Sequence, residues 1–189
     1  MKQLTFFIST IAILSLSSCG NGDSVADVKN DTHALMITKI DSLYRKMASS
    51  KMFDQKEAMD AMRMYVEFST KYPNDSLTPE YLFRASDIAQ GTGNYEQAAE
   101  YLETILEKHT MYTKYPDVLF SAALVYDNYL ENVNHGDERA IQLYDVIISK
   151  YPGSNYAEQA KVLKTYVGQP DSVFYNDIRR KADSIEARK

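Results

Sequence analysis

One motif recurs three times, over residues 61–73, 98–110 and 140–152. Aligned on Ala61, Ala98 and Ala140, the copies carry Tyr65, Leu102 and Tyr144 four residues on. Seven on stand Phe68, Ile105 and Ile147, and eleven on stand Tyr72, His109 and Tyr151. The alanines are 37 and 42 residues apart. Self-similarity at this interval marks stacked supersecondary units, none of which can bury its apolar face alone. The 0, 4, 7 spacing lies on one face of a helix, with alanine where a neighbouring helix must come close. A chain so patterned is confined to an all-α array of helices held in register.

The second and third copies each follow another helical stretch. One runs over 79–90, opened by Pro79 and closed by the turn Gly91-Thr92-Gly93-Asn94. The next is opened by Pro116, again 37 residues on, and runs over 116–130. Helix, glycine turn, helix, proline resembles the tetratricopeptide repeat. Tyr95, Ala98, Leu102 and Ile105 match the aromatic, small, large and aliphatic slots of its second helix. Lys71-Tyr72-Pro73-Asn74-Asp75-Ser76 and Lys150-Tyr151-Pro152-Gly153-Ser154-Asn155-Tyr156-Ala157 resemble the linkers of envelope lipoproteins, of the BamD type in β-barrel assembly and the YbgF/CpoB type in periplasmic coordination. The resemblance covers about residues 43–167. The sequence departs from it at Ser86, where glycine is usual, and at His109-Thr110, where Tyr-Pro is usual. It departs again in the additional residues of 131–136 and around Ser49-Ser50-Lys51. The fold implied is a right-handed α-solenoid of about three hairpins, closed by a C-terminal capping helix.

Ahead of the array, Lys2 and the apolar run 4–16 have the form of a targeting segment, too short to span a bilayer comfortably. Leu16-Ser17-Ser18-Cys19 resembles the lipobox of bacterial lipoproteins, which implies cleavage before Cys19 and acylation of its thiol. The plainer alternative is an ordinary signal peptide with an incidental cysteine. Cys19 is the single cysteine, so no disulfide can form within the chain. Each buried methylene adds about 0.8 kcal/mol of membrane affinity, and several acyl chains together anchor stably. The chain then divides into a signal peptide (1–18), a small polar flexible tether (19–31) and a helical domain (32–189). Glycine rather than aspartate follows Cys19. By resemblance to enteric lipoproteins this implies the outer membrane and its periplasmic face, with surface export as an alternative.

Periodicity predicts a helix over 32–49, capped by Thr32, with Met36, Ile40, Leu43, Tyr44 and Met47 inward. A second covers 55–71, with Ala58, Ala61, Met62, Tyr65 and Phe68 inward. Thr78 and Pro79 open the third, and a turn at Gly136 leads into 137–150. Residues 155–167 place Ala157, Ala160, Leu163 and Tyr166 inward. A last helix over 171–187, capped by Asp171, has the stripe Phe174, Ile178, Ala182 and Ile185 but lacks the repeat signature. Its other face carries Asp177, Arg179, Arg180, Lys181, Asp183 and Glu186, as a solvating end unit requires.

Reaction chemistry finds no foothold in this pattern. His33, His109 and His135 have no ligand spacing. No HExxH, P-loop or nucleophile elbow occurs, and Gly91-Thr92-Gly93 lacks the strand that a phosphate cradle needs. No metal, cofactor or enzymatic activity is expected. A net charge of −5 gives no drive toward nucleic acid. What remains is surface. In tetratricopeptide arrays the first helices of successive units line a concave groove, and carrying those positions over selects Glu80, Phe83, Asp87 and Gln90, then Asp117, Phe120, Leu124 and Asp127. The implied site is a pair of phenylalanines ringed by acids, suited to a peptide segment. Alternatively, Phe83 and Phe120 pack between adjacent helices. The function implied is a lipid-anchored, outer-membrane scaffold for protein partners of the cell envelope, in β-barrel assembly. Envelope or division coordination is the second reading. A solute- or glycan-binding lipoprotein is a third, disfavoured by the absence of tryptophan.

Overall fold

The computed structural model describes residues 24–50, 54–131, 133 and 135–186. The expected signal peptide, Cys19 and the start of the tether lie outside them, as do Asn132 and Asn134 and the side chains of Asp171 and Ile185. Two compact units are distinguished, Met1–Ile37 and Thr38–Lys189. All the described elements are helices: α1 (Ser24–Ser49), α2 (Gln55–Lys71), α3 (Thr78–Gly91), α4 (Tyr95–Lys108), α5 (Tyr115–Tyr129), α6 (Gly136–Lys150), α7 (Asn155–Leu163) and α8 (Asp171–Glu186). α1 starts at Ser24 rather than Thr32, because no glycine or proline between the two breaks the helix. Residues 24–31, expected as tether, are therefore helical.

The repeat seen in sequence is a repeat in backbone geometry. Ala61, Ala98 and Ala140 are all buried, in α2, α4 and α6. The residue eleven further on donates its N–H to the carbonyl of the residue seven further on in every copy. Tyr72 reaches Phe68 at 2.8 Å, His109 reaches Ile105 at 2.9 Å and Tyr151 reaches Ile147 at 2.9 Å. The three capping residues have φ between −126 and −129°. The linkers continue alike: Asp75, Tyr112 and Ser154 donate back to Tyr72, His109 and Tyr151, and Thr78, Tyr115 and Ala157 donate back to Asp75, Tyr112 and Ser154. His109-Thr110 therefore makes the same turn as the two Tyr-Pro linkers. These bonds take up carbonyls that a helix end leaves without partners.

The opposite turns are also in register. Gly93, His135 and Gly168 all have positive φ, at 77, 61 and 73°. Gly93 and His135 each lie five residues ahead of their alanine, Ala98 and Ala140. Glycine adopts that backbone without strain, and His135 does so against preference. The residue after it, Gly136, is buried with the Leu130 carbonyl where a Cβ would stand.

From α2 to α7 each helix packs on its chain neighbours, and α5 also meets α7, as in an α-solenoid of tetratricopeptide-type hairpins. The largest core cluster joins α3 to α7 through residues such as Leu102, Ile105, Leu119, Tyr144 and Ala157. A second lies between α2 and α3, where Phe68 meets the Tyr81 ring edge-on at 4.9 Å. The buried hydroxyls of Thr78 and Ser86 donate to the carbonyls of Tyr72 and Phe83. Ser86 thus occupies the glycine slot by bonding its own helix.

α7 and α8 depart from expectation. α7 ends at Leu163, not at 167, because Thr165 and Tyr166 make tight bonds to Val162 and Leu163. The stripe on α8 is not inward along its length. Phe174 is half-buried, edge-on to Tyr166 at 5.1 Å, but Ile178 and Ala182 are exposed. α8 meets the rest of the array through Tyr166, in the segment after α7, and no described helix packs along its later turns. In α1, Tyr44 is exposed instead of inward, and its ring lies under the Arg84 guanidinium at 4.3 Å.

Candidate functional site: the inner face of the array

The first helices of successive hairpins are tied side by side. Gln90 on α3 donates from its amide nitrogen to the Ser121 hydroxyl on α5, 3.2 Å away. Tyr156 on α7 donates to Asp117 on α5 at 2.7 Å and packs its ring on Phe120, centroids 5.0 Å apart. Arg84 on α3 reaches Tyr44 on α1. All eight residues selected from the sequence lie on α3 and α5, within this linked row.

The ring of acids is mostly engaged within the protein. Glu80 accepts from Arg84 at 2.8 Å, from the Tyr112 hydroxyl at 2.5 Å and from Lys114 at 2.9 Å. Asp117 accepts from Tyr156, and Asp127 accepts from Tyr144 at 2.8 Å. Arg84 apart, the donors come from other elements of the chain, which is why the sequence did not show this. The excess of tyrosine was the available signal: a ring packs in the core while its hydroxyl crosses to the next helix.

Asp87 differs. Its side chain is exposed, yet its pKa is raised, by burial first and by the Glu80 charge second, with Lys114 opposing. Phe83 and Phe120 are half-buried against the core, and Leu124 is half-buried beside them. The packing alternative thus accounts for much of both rings, and the phenylalanines contribute edges to the face rather than whole side chains.

Glu80 sets a pH dependence. Burial, the largest single influence, works against its charge, but Tyr112, Lys114 and Arg84 together outweigh it and hold its pKa at about 2, from an ordinary 4.5. With the folded value below the unfolded one, this stabilisation is complete above about pH 4.5 and is lost as pH falls toward 2. After allowing for solvent screening the loss is about 1–2 kcal/mol. Urea titrations at pH 6 and pH 3 should therefore give a smaller pH difference for Glu80→Gln than for the parent chain. An equal difference would refute this role for Glu80.

One feature of this face was not legible in the sequence. Where α5 ends, a cavity of about 700 Å³ opens between Asp127, Asn128, Tyr129 and Glu131 on one side and Tyr166, Gln169, Phe174 and Tyr175 on the other. It depends on the sharp turn at Gly168, and no local pattern announces how that turn brings α8 back.

Residues 80–110 match the family model of the tetratricopeptide repeat. The match spans α3 after its first two residues, all of α4 and the start of the following linker. No curated protein matches the chain. The C-caps of α2 and α6 and the linkers after them repeat those of α4, so this part of the repeat geometry extends beyond the matched hairpin. Such arrays present extended inner surfaces that bind proteins.

Proposed function

We propose that this protein is a non-catalytic scaffold that binds a protein partner along the face formed by α3 and α5. The observation that carries this reading is the row of first helices α3, α5 and α7, tied side by side through Gln90–Ser121 and Tyr156–Asp117 and leaving Asp87 exposed on α3. A preformed face loses little conformational freedom on binding, and so keeps more of its contact energy as affinity. The finer reading places the scaffold at the bacterial outer membrane, lipid-anchored through Cys19 and facing the periplasm. It is supported by Leu16-Ser17-Ser18-Cys19 and by the two linkers that resemble those of envelope lipoproteins. β-barrel assembly is the process favoured by the BamD-type resemblance, and envelope or division coordination is the alternative.

The test is site-specific photocrosslinking in living cells. A photoreactive side chain at Asp87 should yield a discrete protein adduct. The same group at Glu67 or Glu100, exposed on α2 and α4, should not. Absence of the Asp87 adduct, or equal adducts from all three positions, would reject the assignment. Adducts containing a β-barrel insertase would select assembly, and adducts containing division or peptidoglycan-synthesis proteins would select coordination.

A further inference from the structure

We propose that this chain is an acceptor for sugar, carried on the hydroxyl oxygen of serines that stand between an aspartate and a branched aliphatic residue. This rests on the reading that the chain is exported and lipid-anchored, and adds a covalent modification to it.

One tripeptide recurs outside the alanine register. Asp23-Ser24-Val25, Asp41-Ser42-Leu43, Asp75-Ser76-Leu77, Asp171-Ser172-Val173 and Asp183-Ser184-Ile185 all read aspartate, serine, branched aliphatic. Aspartate is 15 of the 189 residues, so chance alone would place it before one or two of the 16 serines. It precedes five, and each of the five is followed by Leu, Val or Ile.

Helix starts and turns account for part of this, since both aspartate and serine favour them. Ser24 opens α1, Asp171 opens α8, and the Asp75 carboxylate accepts from the Leu77 N–H at 2.8 Å in the linker. Ser42 stands well inside α1 and Ser184 near the end of α8, where no N-cap is needed and where aspartate and serine are poor helix formers. Capping also makes no demand on the third residue.

Exposure separates these serines from others in the chain. Among the described side chains, Ser42, Ser76, Ser172 and Ser184 are all exposed. Ser69 and Ser86, which no aspartate precedes, are buried, and Ser121 and Ser154 are half-buried. A substituent on any of the four exposed hydroxyls has room in the folded array. None of the five tripeptides falls between residues 78 and 170, so α3 to α7 are left clear of them.

An anion, a hydroxyl and an apolar side chain in fixed order are a unit that an enzyme can read: the carboxylate pairs with a basic group, the aliphatic side chain fills a pocket and the hydroxyl reacts. The surroundings select the group transferred. A phosphate would crowd further negative charge beside an aspartate at every site, and nucleoside triphosphates are confined to the cytoplasm. A sugar adds no charge and suits an exposed, solvated surface. The donor is a sugar joined through its anomeric carbon to a lipid-borne diphosphate. Serine Oγ bonds to that carbon, the bond from the carbon to the diphosphate oxygen breaks with its electron pair staying on the diphosphate, and the hydroxyl proton passes to a base of the transferase.

The test is peptide mass spectrometry on the full chain purified from the cells that naturally make it, with electron-transfer fragmentation to keep O-linked groups in place. Ser42, Ser76, Ser172 and Ser184 should carry the mass of one or more sugar residues. Ser50 and Ser149, exposed but not preceded by aspartate, should carry none. Asp41→Asn and Asp75→Asn should each lose the sugar from the adjoining serine and keep it at the other sites. Asparagine retains an oxygen that can accept from the Leu77 N–H, so circular dichroism of the Asp75 variant should match the parent. The proposal is overturned if the four serines are unmodified, if they carry phosphate, if Ser50 and Ser149 are modified as fully, if the aspartate variants keep their sugar, or if the group sits on Asn74 instead of Ser76. Unmodified serines on a chain acylated at Cys19 would remove this inference alone. Unmodified serines on a chain without the acyl group would remove the export reading with it. A lost Asp87 adduct with the sugars retained would remove the assignment of the α3–α5 face alone.

Discussion

Gly136→Ala is expected to disrupt the α5–α6 hairpin. A Cβ at this position would stand 1.8 Å from the Leu130 carbonyl oxygen, 2.5 Å from its carbon and 3.0 Å from the Glu131 nitrogen. All three are backbone atoms, so no side-chain rotation relieves the overlap. Either the end of α5 or the start of α6 must move, and both are seated in the largest core cluster through Leu130 and Ala140. The expected loss is on the order of 3 kcal/mol, at the upper end of overpacking costs. Gly153→Ala is the control, because nothing lies within 4 Å of its added carbon. Urea denaturation followed by circular dichroism should place the Gly136 variant far below the parent and the Gly153 variant close to it. Coincident midpoints for the two variants would show that the Leu130–Gly136 contact is not made in solution.

Phe68→Ala is expected to cost about 3–5 kcal/mol, as for a fully enclosed phenylalanine whose site cannot collapse. The ring is buried, with Tyr81 edge-on at 4.9 Å and Tyr72 tilted against it at 5.0 Å. Tyr65 stacks on the far part of the same group, 5.3 Å from Tyr81. These four rings join α2 to α3 and its linker. In a solenoid each unit depends chiefly on its neighbours, so the damage should stay local. Native-state hydrogen exchange should show lost protection in α2 and α3 while α5 and α6 keep theirs. Phe83→Ala, which removes a half-buried ring, should cost less than half as much. Uniform loss of protection across all helices would mean that the array opens as one unit.

The alanine register was legible because it is written in short-range spacing, and the backbone honours it to the level of individual cap and linker bonds. Helices α2 to α6 follow from the same pattern. The turn at His135 was less legible: its φ of 61° suits glycine, and histidine gives no sign of it. The acids of the inner face were placed on the correct helices, yet their engagement was invisible. Tyr112, Tyr144 and Tyr156 lie 32, 17 and 39 residues from the carboxylates they meet. Sequence periodicity describes one helix at a time, whereas those bonds run between separate elements. The far end misled for a related reason. Phe174, Ile178, Ala182 and Ile185 form a sound stripe, but a stripe states only that a partner would be favourable, and no described helix packs along α8.

α8 has a consequence for how far such a structure can grow. A stack of hairpins has no intrinsic stopping point, and a second molecule could in principle continue the series end to end, as open-ended contacts between copies do. Nine residues past the left-handed turn residue, α4 and α6 carry Leu102 and Tyr144, whereas α8 carries Asp177. That carboxylate already accepts from Tyr166 at 2.9 Å and pairs with Arg180. Another copy added here would have to strip water from an ion pair where the interior uses grease, a cost that attraction between the charges does not readily recover. α8 thus presents charge where α4 and α6 present Leu102 and Tyr144, and a second copy gains little by seating on it.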